Sequence, residues 1–179
     1  MRKFFATAAL AAMLVIPSLL PAQTAAAKKA PAPAGAPVIA TPDKIQWGPA
    51  PPMLPAGAQI AVLAGDPGKP GPFIFRLKFP DGYKIMPHWH PTAENVTVLS
   101  GEFHAAMGDK FDESSMVTLP TGSVAVLPAH HNHYGMAKGE TVLQIHGTGP
   151  FKLTYVNPAD DPSNVKEGAA PKTKTAPKK

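Results

Sequence analysis

The stretch that decides the fold runs from Gly82 to Gly101 and reads GYKIMPHWHPTAENVTVLSG. It begins with a strand-like run that leads into a His-x-His pair, His88 and His90. Residues two apart on a β-strand point to the same side of the sheet, so both imidazoles can reach one point. Glu94 follows after a predicted turn and begins the next strand-like run, where its carboxylate can face the two imidazoles. The spacing therefore predicts that three metal-ligating side chains come together on neighbouring strands.

A second group of histidines follows further along the chain. All seven histidines fall between His88 and His146, and the sequence His130-His131-Asn132-His133 comes directly after the strand-like run 123–127. This group can supply a further ligand from a non-adjacent part of the fold. His131 is interpreted as a surface or turn residue.

Short runs of β-branched and aromatic residues recur on both sides of the deciding stretch, and each is closed by turn residues. Runs of this length with such punctuation are typical of a β-sandwich or β-barrel. No long stretch shows helical periodicity with capping residues. The sequence therefore predicts an all-β fold with a single domain, with strands near 58–63, 73–79, 96–99, 123–127, 141–146 and 151–156.

The deciding stretch resembles the first motif of the cupin superfamily, which is Gly, five residues, His-x-His, three or four residues, Glu, six residues and Gly. The match is complete at Gly82, His88, His90, Glu94 and Gly101. The resemblance covers about residues 47–158. It implies a jelly-roll barrel, also called a double-stranded β-helix.

The second cupin motif is Gly, five residues, Pro-x-Gly, two residues, His, three residues and Asn. This sequence matches it at Gly122, Pro128 and His133. His130 stands where the family has Gly, and Ala137 stands where it has Asn. The resemblance implies that His133 is the fourth metal ligand, while His130 puts the geometry of the turn in question.

The resemblance implies one divalent transition metal, held by His88, His90, Glu94 and His133. The sequence contains no cysteine, so any metal must be held by nitrogen and oxygen. Such ligands suit Fe, Mn, Ni, Cu or Zn. Glu94 would be both a ligand and a catalytic proton acceptor. The alternative is a polar network in a barrel that has lost its metal.

Four other polar residues are candidates to line a substrate pocket, namely His104, His130, Gln144 and His146. The three histidines are interpreted as barrel-lining or hydrogen-bonded core residues rather than ligands. Gln144 and His146 are two apart on a predicted strand and share one face. If that face points inward, they would orient a substrate or a water molecule.

The two ends of the chain are predicted to lie outside the barrel. Residues 1–27 combine a basic start, an apolar run and small residues, which is typical of a signal peptide cleaved after Ala22 or Ala27. Residues 28–46 form an Ala/Pro-rich linker, 47–160 the barrel, and 161–179 a disordered Lys-rich tail. We therefore expect a periplasmic or secreted protein with no membrane span after cleavage.

The basic residues that give the chain its net charge of +5 lie mainly in these two ends. Between Lys44 and Asp161 the chain has eight basic and ten acidic residues, a net charge of −2. A nucleic-acid-binding domain carries its basic residues on the folded part. The sequence therefore predicts no nucleic-acid partner.

The expected partner is a small molecule at the metal. Similar cupins include dioxygenases, isomerases, decarboxylases and oxalate-degrading enzymes, and a dioxygenase-like oxidoreductase is favoured here. The alternatives are a non-catalytic module that binds a small ligand or metal, and a structural role with the metal as a staple. Cupins often pair through edge strands, which leaves a homodimer open.

Overall fold

The computed structural model describes residues 37–164. The predicted signal peptide, the first part of the linker and most of the Lys-rich tail lie outside the described residues. Within residues 37–164 there is no helix long and apolar enough to cross a membrane. This part of the chain forms nine strands and four short 3-10 helices, which confirms the all-β prediction.

The strands follow the order in which the sequence predicts them, with short additional ones. They are β1 (Gly48–Pro49), β2 (Gln59–Ala64), β3 (Gly71–Phe79), β4 (Lys84–Trp89), β5 (Glu94–Met107), β6 (Val117–Pro120), β7 (Val124–Leu127), β8 (His133–Gly149) and β9 (Thr154–Tyr155). The 3-10 helices are Pro42–Lys44, Glu113–Ser115, Pro158–Asp160 and Pro162–Asn164.

All nine strands belong to one curled antiparallel sheet. Its main path is β1-β2-β3-β8-β4-β9, and β5 pairs with β6, β7 and β8. The two longest strands, β5 and β8, pair with each other along almost their whole length. The later part of β8 also pairs with β3, and its beginning pairs with β4, so the two strands join both halves of the curled sheet.

The core follows from the alternation of residues along β3. Phe73, Phe75, Leu77 and Phe79 are all buried, and the residues between them face outward. These side chains form one cluster with buried residues of β4, β5 and β8. The inner side of the sheet is therefore apolar almost throughout, and any polar side chain there needs a partner.

Gly101 marks the bend in β5. Its φ is +77°, and a β-carbon there would lie 2.4 Å from the Glu140 carbonyl oxygen. The pairing of β5 with β8 shifts register on both sides of Ser100, next to this glycine. Only glycine fits such a close approach at positive φ, which explains why the chain needs glycine at the end of the deciding stretch.

Two buried tyrosines fix the segment before β2 across one end of the sheet. The Tyr83 hydroxyl donates to the Pro55 carbonyl at 2.6 Å, and the Tyr155 hydroxyl donates to the Met53 carbonyl at 2.8 Å. Burial raises the pKa of Tyr155 to about 12, with a smaller contribution from Asp161. Both hydroxyls thus stay protonated and hold this segment near the site described next.

Candidate metal centre

The four predicted ligands lie at the ends of three strands. His88 is in β4, His90 follows directly after it, and Glu94 and His133 are the first residues of β5 and β8. His88 and His133 face each other in the β4–β8 pairing. None of the four is more than 8% exposed. The strand pairing therefore brings together side chains that are up to 45 positions apart in the numbering.

These side chains converge on one point inside the sheet. One ring nitrogen from each of His88, His90 and His133 lies within 4.8 Å of the others. The Glu94 Oε2 atom is 3.2 Å from His133 Nε2 and 3.4 Å from His90 Nε2. The arrangement offers three nitrogens and one carboxylate to a single ion.

Backbone carbonyls fix the tautomer of each histidine. The Nδ1 atoms of His88, His90 and His133 lie 2.8, 2.9 and 2.9 Å from carbonyl oxygens, respectively those of Met86, Lys152 and His131. Because a carbonyl oxygen only accepts hydrogen bonds, each Nδ1 carries the proton and donates it. The unprotonated Nε2 atoms then face the cluster, as in metal-ligating histidines.

The inner nitrogen atoms lack hydrogen-bond partners. The Nε2 atoms of His90 and His133 are fully buried and have no hydrogen bond to any described residue. Both nitrogen atoms lie close to a Glu94 carboxylate oxygen. An unprotonated nitrogen and a carboxylate oxygen attract each other only through a proton or a metal ion that lies between them. Buried polar atoms are rarely left unpaired. This set of acceptors therefore fits a cation.

The charge states follow from burial and proximity. Burial lowers the pKa of His88 to about 3, and the neighbouring His133 and His90 lower it further. Burial pushes the pKa of Glu94 upward, but hydrogen bonds from His133 and His90, which form when their facing nitrogens carry a proton, outweigh this and hold the pKa below its usual range. At neutral pH His88 is therefore uncharged and Glu94 is ionised, which are the states that bind metal.

Two residues that sequence reasoning missed support His90. The Phe151 ring stacks on the His90 ring with centroids 4.1 Å apart. The Lys152 carbonyl accepts the His90 Nδ1 hydrogen bond. Both residues lie about 60 positions beyond His90, in the segment between β8 and β9, and no spacing rule connects them to a His-x-His pair.

Two cavities meet at the four-residue cluster. The first has a volume of about 320 Å³, and His133 lines it. The second has a volume of about 290 Å³, and His90 and Phe151 line it. His88 and Glu94 line both cavities. A ligand in either cavity would therefore touch the cluster.

The four predicted lining residues contribute to neither cavity. Gln144 and His146 alternate with the inward-facing Leu143 and Ile145 of β8, so they lie on the outer face. Gln144 accepts a hydrogen bond from Arg76 Nε at 3.2 Å. The pair therefore lies on the face opposite the cavities, because Leu143 and Ile145 occupy the inward positions in this part of β8.

His104 and His130 also lie away from the cluster. His104 Nε2 is 2.7 Å from Glu102 Oε1, on the outer face of β5. His130 is exposed, and its ring lies 5.0 Å from that of Trp89. His130 keeps the turn geometry that the family builds with Gly, since its φ is +62° and its N–H donates to the His90 carbonyl at 2.8 Å.

We expect the His130→Gly variant to be more stable than His130→Ala by about 1 kcal/mol. The left-handed backbone costs a residue with a side chain roughly 1–2 kcal/mol, and the greater freedom of unfolded glycine offsets part of this. Urea denaturation measures the difference. At the neighbouring Ala129, which has no positive φ, the wild-type Ala should instead be more stable than Gly. Equal stability of the two His130 variants would contradict the prediction.

Comparisons with known proteins agree with this architecture. A profile of the cupin domain matches residues 75–146. No curated protein matches the sequence significantly. Among solved structures, the polyketide cyclase RemF from Streptomyces resistomycificus superposes with a TM-score of 0.57 at 14% identity, over 69% of this chain and 88% of RemF.

A second solved structure shares the fold to a similar extent. It is a candidate acetylacetone dioxygenase from Methylibium petroleiphilum PM1, with a TM-score of 0.53 at 19% identity, over 67% of this chain and 81% of that protein. Identities this low show a shared fold and nothing about the reaction. The profile match thus identifies a cupin domain at residues 75–146, and the complete first motif lies within it.

Proposed function

We propose that this chain is a metal-dependent enzyme that acts on a small molecule in the cavity beside the four-residue cluster. The observation that carries this proposal is the convergence of three imidazole Nε2 acceptors and one carboxylate at a cavity wall. The outer hydrogen bonds of all three histidines leave the Nε2 atoms free to bind a cation. A purely structural polar network would instead use those nitrogens to satisfy each other.

The donor set suits a divalent ion of Fe, Mn, Ni, Cu or Zn. His88, His90, Glu94 and His133 would hold it. A bound ion would polarise a substrate oxygen, and a redox-active ion would support oxygenation. The lowered pKa of Glu94 makes it a weak base, so its first role is as a ligand.

Among the reaction classes, we favour oxygenation of the substrate. Isomerisation and decarboxylation usually need a separate acid or base close to the substrate. Apart from the predicted ligands, Tyr134 is the one ionisable side chain among the described residues that line the first cavity, and its hydroxyl donates to the Asp112 carbonyl at 3.3 Å. Within residues 37–164, this cavity therefore offers little for proton transfer beyond Glu94.

Metal analysis tests the proposal. We expect the protein purified from its native compartment to hold close to one transition-metal ion per chain by plasma mass spectrometry. The double variant His88→Ala/His90→Ala should hold none, whereas the matched control His104→Ala/His146→Ala should keep the metal. Absence of metal from the wild-type protein would overturn the proposal.

The reaction itself is tested with the loaded protein. Oxygen uptake with a panel of phenols and diketones should appear in the wild type and disappear in the double variant. A ligand that binds saturably but keeps its mass after incubation would show a binding module instead of an enzyme.

A further inference from the structure

We infer that the first cavity takes an uncharged, largely apolar molecule of one or two rings, with a single polar end directed at His88, Glu94 and His133. This inference deepens the proposed function and rests on it for the role of the metal. It is drawn from the lining, the hydrogen bonds and the size of the cavity.

The walls of the cavity are apolar. Large side chains from the surrounding strands form them, including Phe103, Leu119, Leu127 and Leu143, and Ala105 and Ala125 leave the central space open. Among the described residues that line it, only Glu94 carries a formal charge. A second anion, as in a dicarboxylate or a phosphorylated sugar, would meet no cation there apart from the metal.

The two polar side chains outside the cluster already use their hydrogen-bond donors. Ser115 Oγ donates to Asp112 Oδ2 at 2.7 Å, and the Tyr134 hydroxyl donates to the Asp112 carbonyl. Both oxygens can still accept a hydrogen bond, but neither can donate one, so a ligand with several hydroxyl groups would leave most of its own oxygen acceptors unpaired. Each such lost hydrogen bond weakens binding, so the cavity disfavours sugars.

The polar groups that remain are at one end only. His88, Glu94 and His133 lie together at the wall that separates the first cavity from the second. A ligand with one hydroxyl or carbonyl group can direct it toward them and bury the rest of its surface against carbon. This asymmetry is why we assign a single polar end.

The size of the cavity and its entrance agree with such a ligand. An engineered apolar cavity of about 150 Å³ binds benzene, and this one measures about 320 Å³. Met107 and Val117 line the cavity and are 49% and 65% exposed, so they mark its entrance. An apolar entrance favours the approach of an apolar molecule.

Binding of 2-naphthol tests the inference, with oxalate and glucose 6-phosphate as contrasting probes. Calorimetric titration uses the full chain loaded with zinc, which is not redox-active. We expect 2-naphthol to bind at least tenfold more tightly than either contrasting probe. The Ala105→Phe variant should weaken 2-naphthol binding at least tenfold because the new ring fills the first cavity.

Control variants locate the binding site. The Leu153→Phe variant fills the second cavity and should change 2-naphthol binding less than twofold. If Ala105→Phe does not fold, Ala125→Leu takes its place, since Ala125 lines the same cavity. Loss of binding in Leu153→Phe, with none in the Ala105 or Ala125 variants, would overturn the inference.

Thermal denaturation of chelated protein with and without benzene separates this inference from the proposed function. Benzene should raise the melting temperature of the metal-free wild type and not that of Ala105→Phe, because apolar burial needs no metal. If the protein binds no metal but this benzene effect is seen, the proposed function fails and the apolar cavity stands. If the metal is present but oxalate or glucose 6-phosphate binds more tightly than 2-naphthol, the inference fails and the metal site stands.

Discussion

The Glu94→Gln variant should lose about a hundredfold or more in metal affinity and yet be more stable than the wild type once metal is removed. Loss of hydrogen-bonded partners around a metal site typically costs 10- to 100-fold in affinity, and loss of an anionic ligand should cost at least as much. In the metal-free protein the substitution should instead be favourable for stability. The carboxylate faces two buried imidazole acceptors at 3.2 and 3.4 Å.

When both Nε2 atoms are unprotonated, no proton bridges them to the carboxylate; a glutamine amide would then supply hydrogen bonds, because its NH₂ group donates to Nε2 atoms that otherwise have no partner. Satisfying such buried groups contributes roughly 1–3 kcal/mol to the free energy of unfolding. Urea denaturation at pH 8 in the presence of a chelator measures this gain. Competition with a metal indicator measures the affinity.

Glu102→Gln is the matched control, since it makes the same change on the same strand. Glu102 is on the surface, where it pairs with His104 and with Lys138. Exposed pairs of this kind contribute little to stability, so both readouts should stay near the wild type. A metal-free Glu94→Gln variant that is less stable than the metal-free wild type would contradict this prediction. It would show that protonated histidines already form hydrogen bonds with the Glu94 carboxylate in the absence of metal.

The sequence predicts the all-β fold and the grouping of His88, His90 and Glu94 because these follow from short-range rules, whereas His133 is implied only by the resemblance to the second cupin motif. The alternation of Phe73, Phe75, Leu77 and Phe79 indicates a strand with one buried side, and the structure has it. His88 and His90 are two apart, so any strand geometry brings them to one side. Their use as metal ligands stays a prediction until the metal is measured.

What the sequence does not predict depends on long-range contacts. Phe151 and the Lys152 carbonyl reach His90 only because β8 and β9 return to β4. Every residue has a backbone carbonyl, so the sequence does not show which of them accepts the hydrogen bond. The orientation of Gln144 and His146 depends on which side of β8 faces inward. Leu143 and Ile145 could have indicated it, since they are the apolar residues of that alternating run.

Acid should destabilise the metal-free protein through His88. In the folded protein burial lowers the pKa of His88 to about 3, whereas an unfolded histidine titrates near 6.5. Between these two pH values the unfolded chain binds a proton that the folded chain does not, so the free energy of unfolding falls as the pH falls. The stability is full above about pH 6.5 and is lost progressively toward pH 3.

From pH 7 to pH 5, His88 alone should lower the free energy of unfolding by about 2 kcal/mol. The His88→Gln variant removes this titration, so its stability should depend less on pH by about that amount. Urea denaturation of chelated protein at several pH values gives both slopes. If His88→Gln and the wild type lose the same stability in acid, His88 is not held neutral by burial, and the cluster is charged before any metal binds.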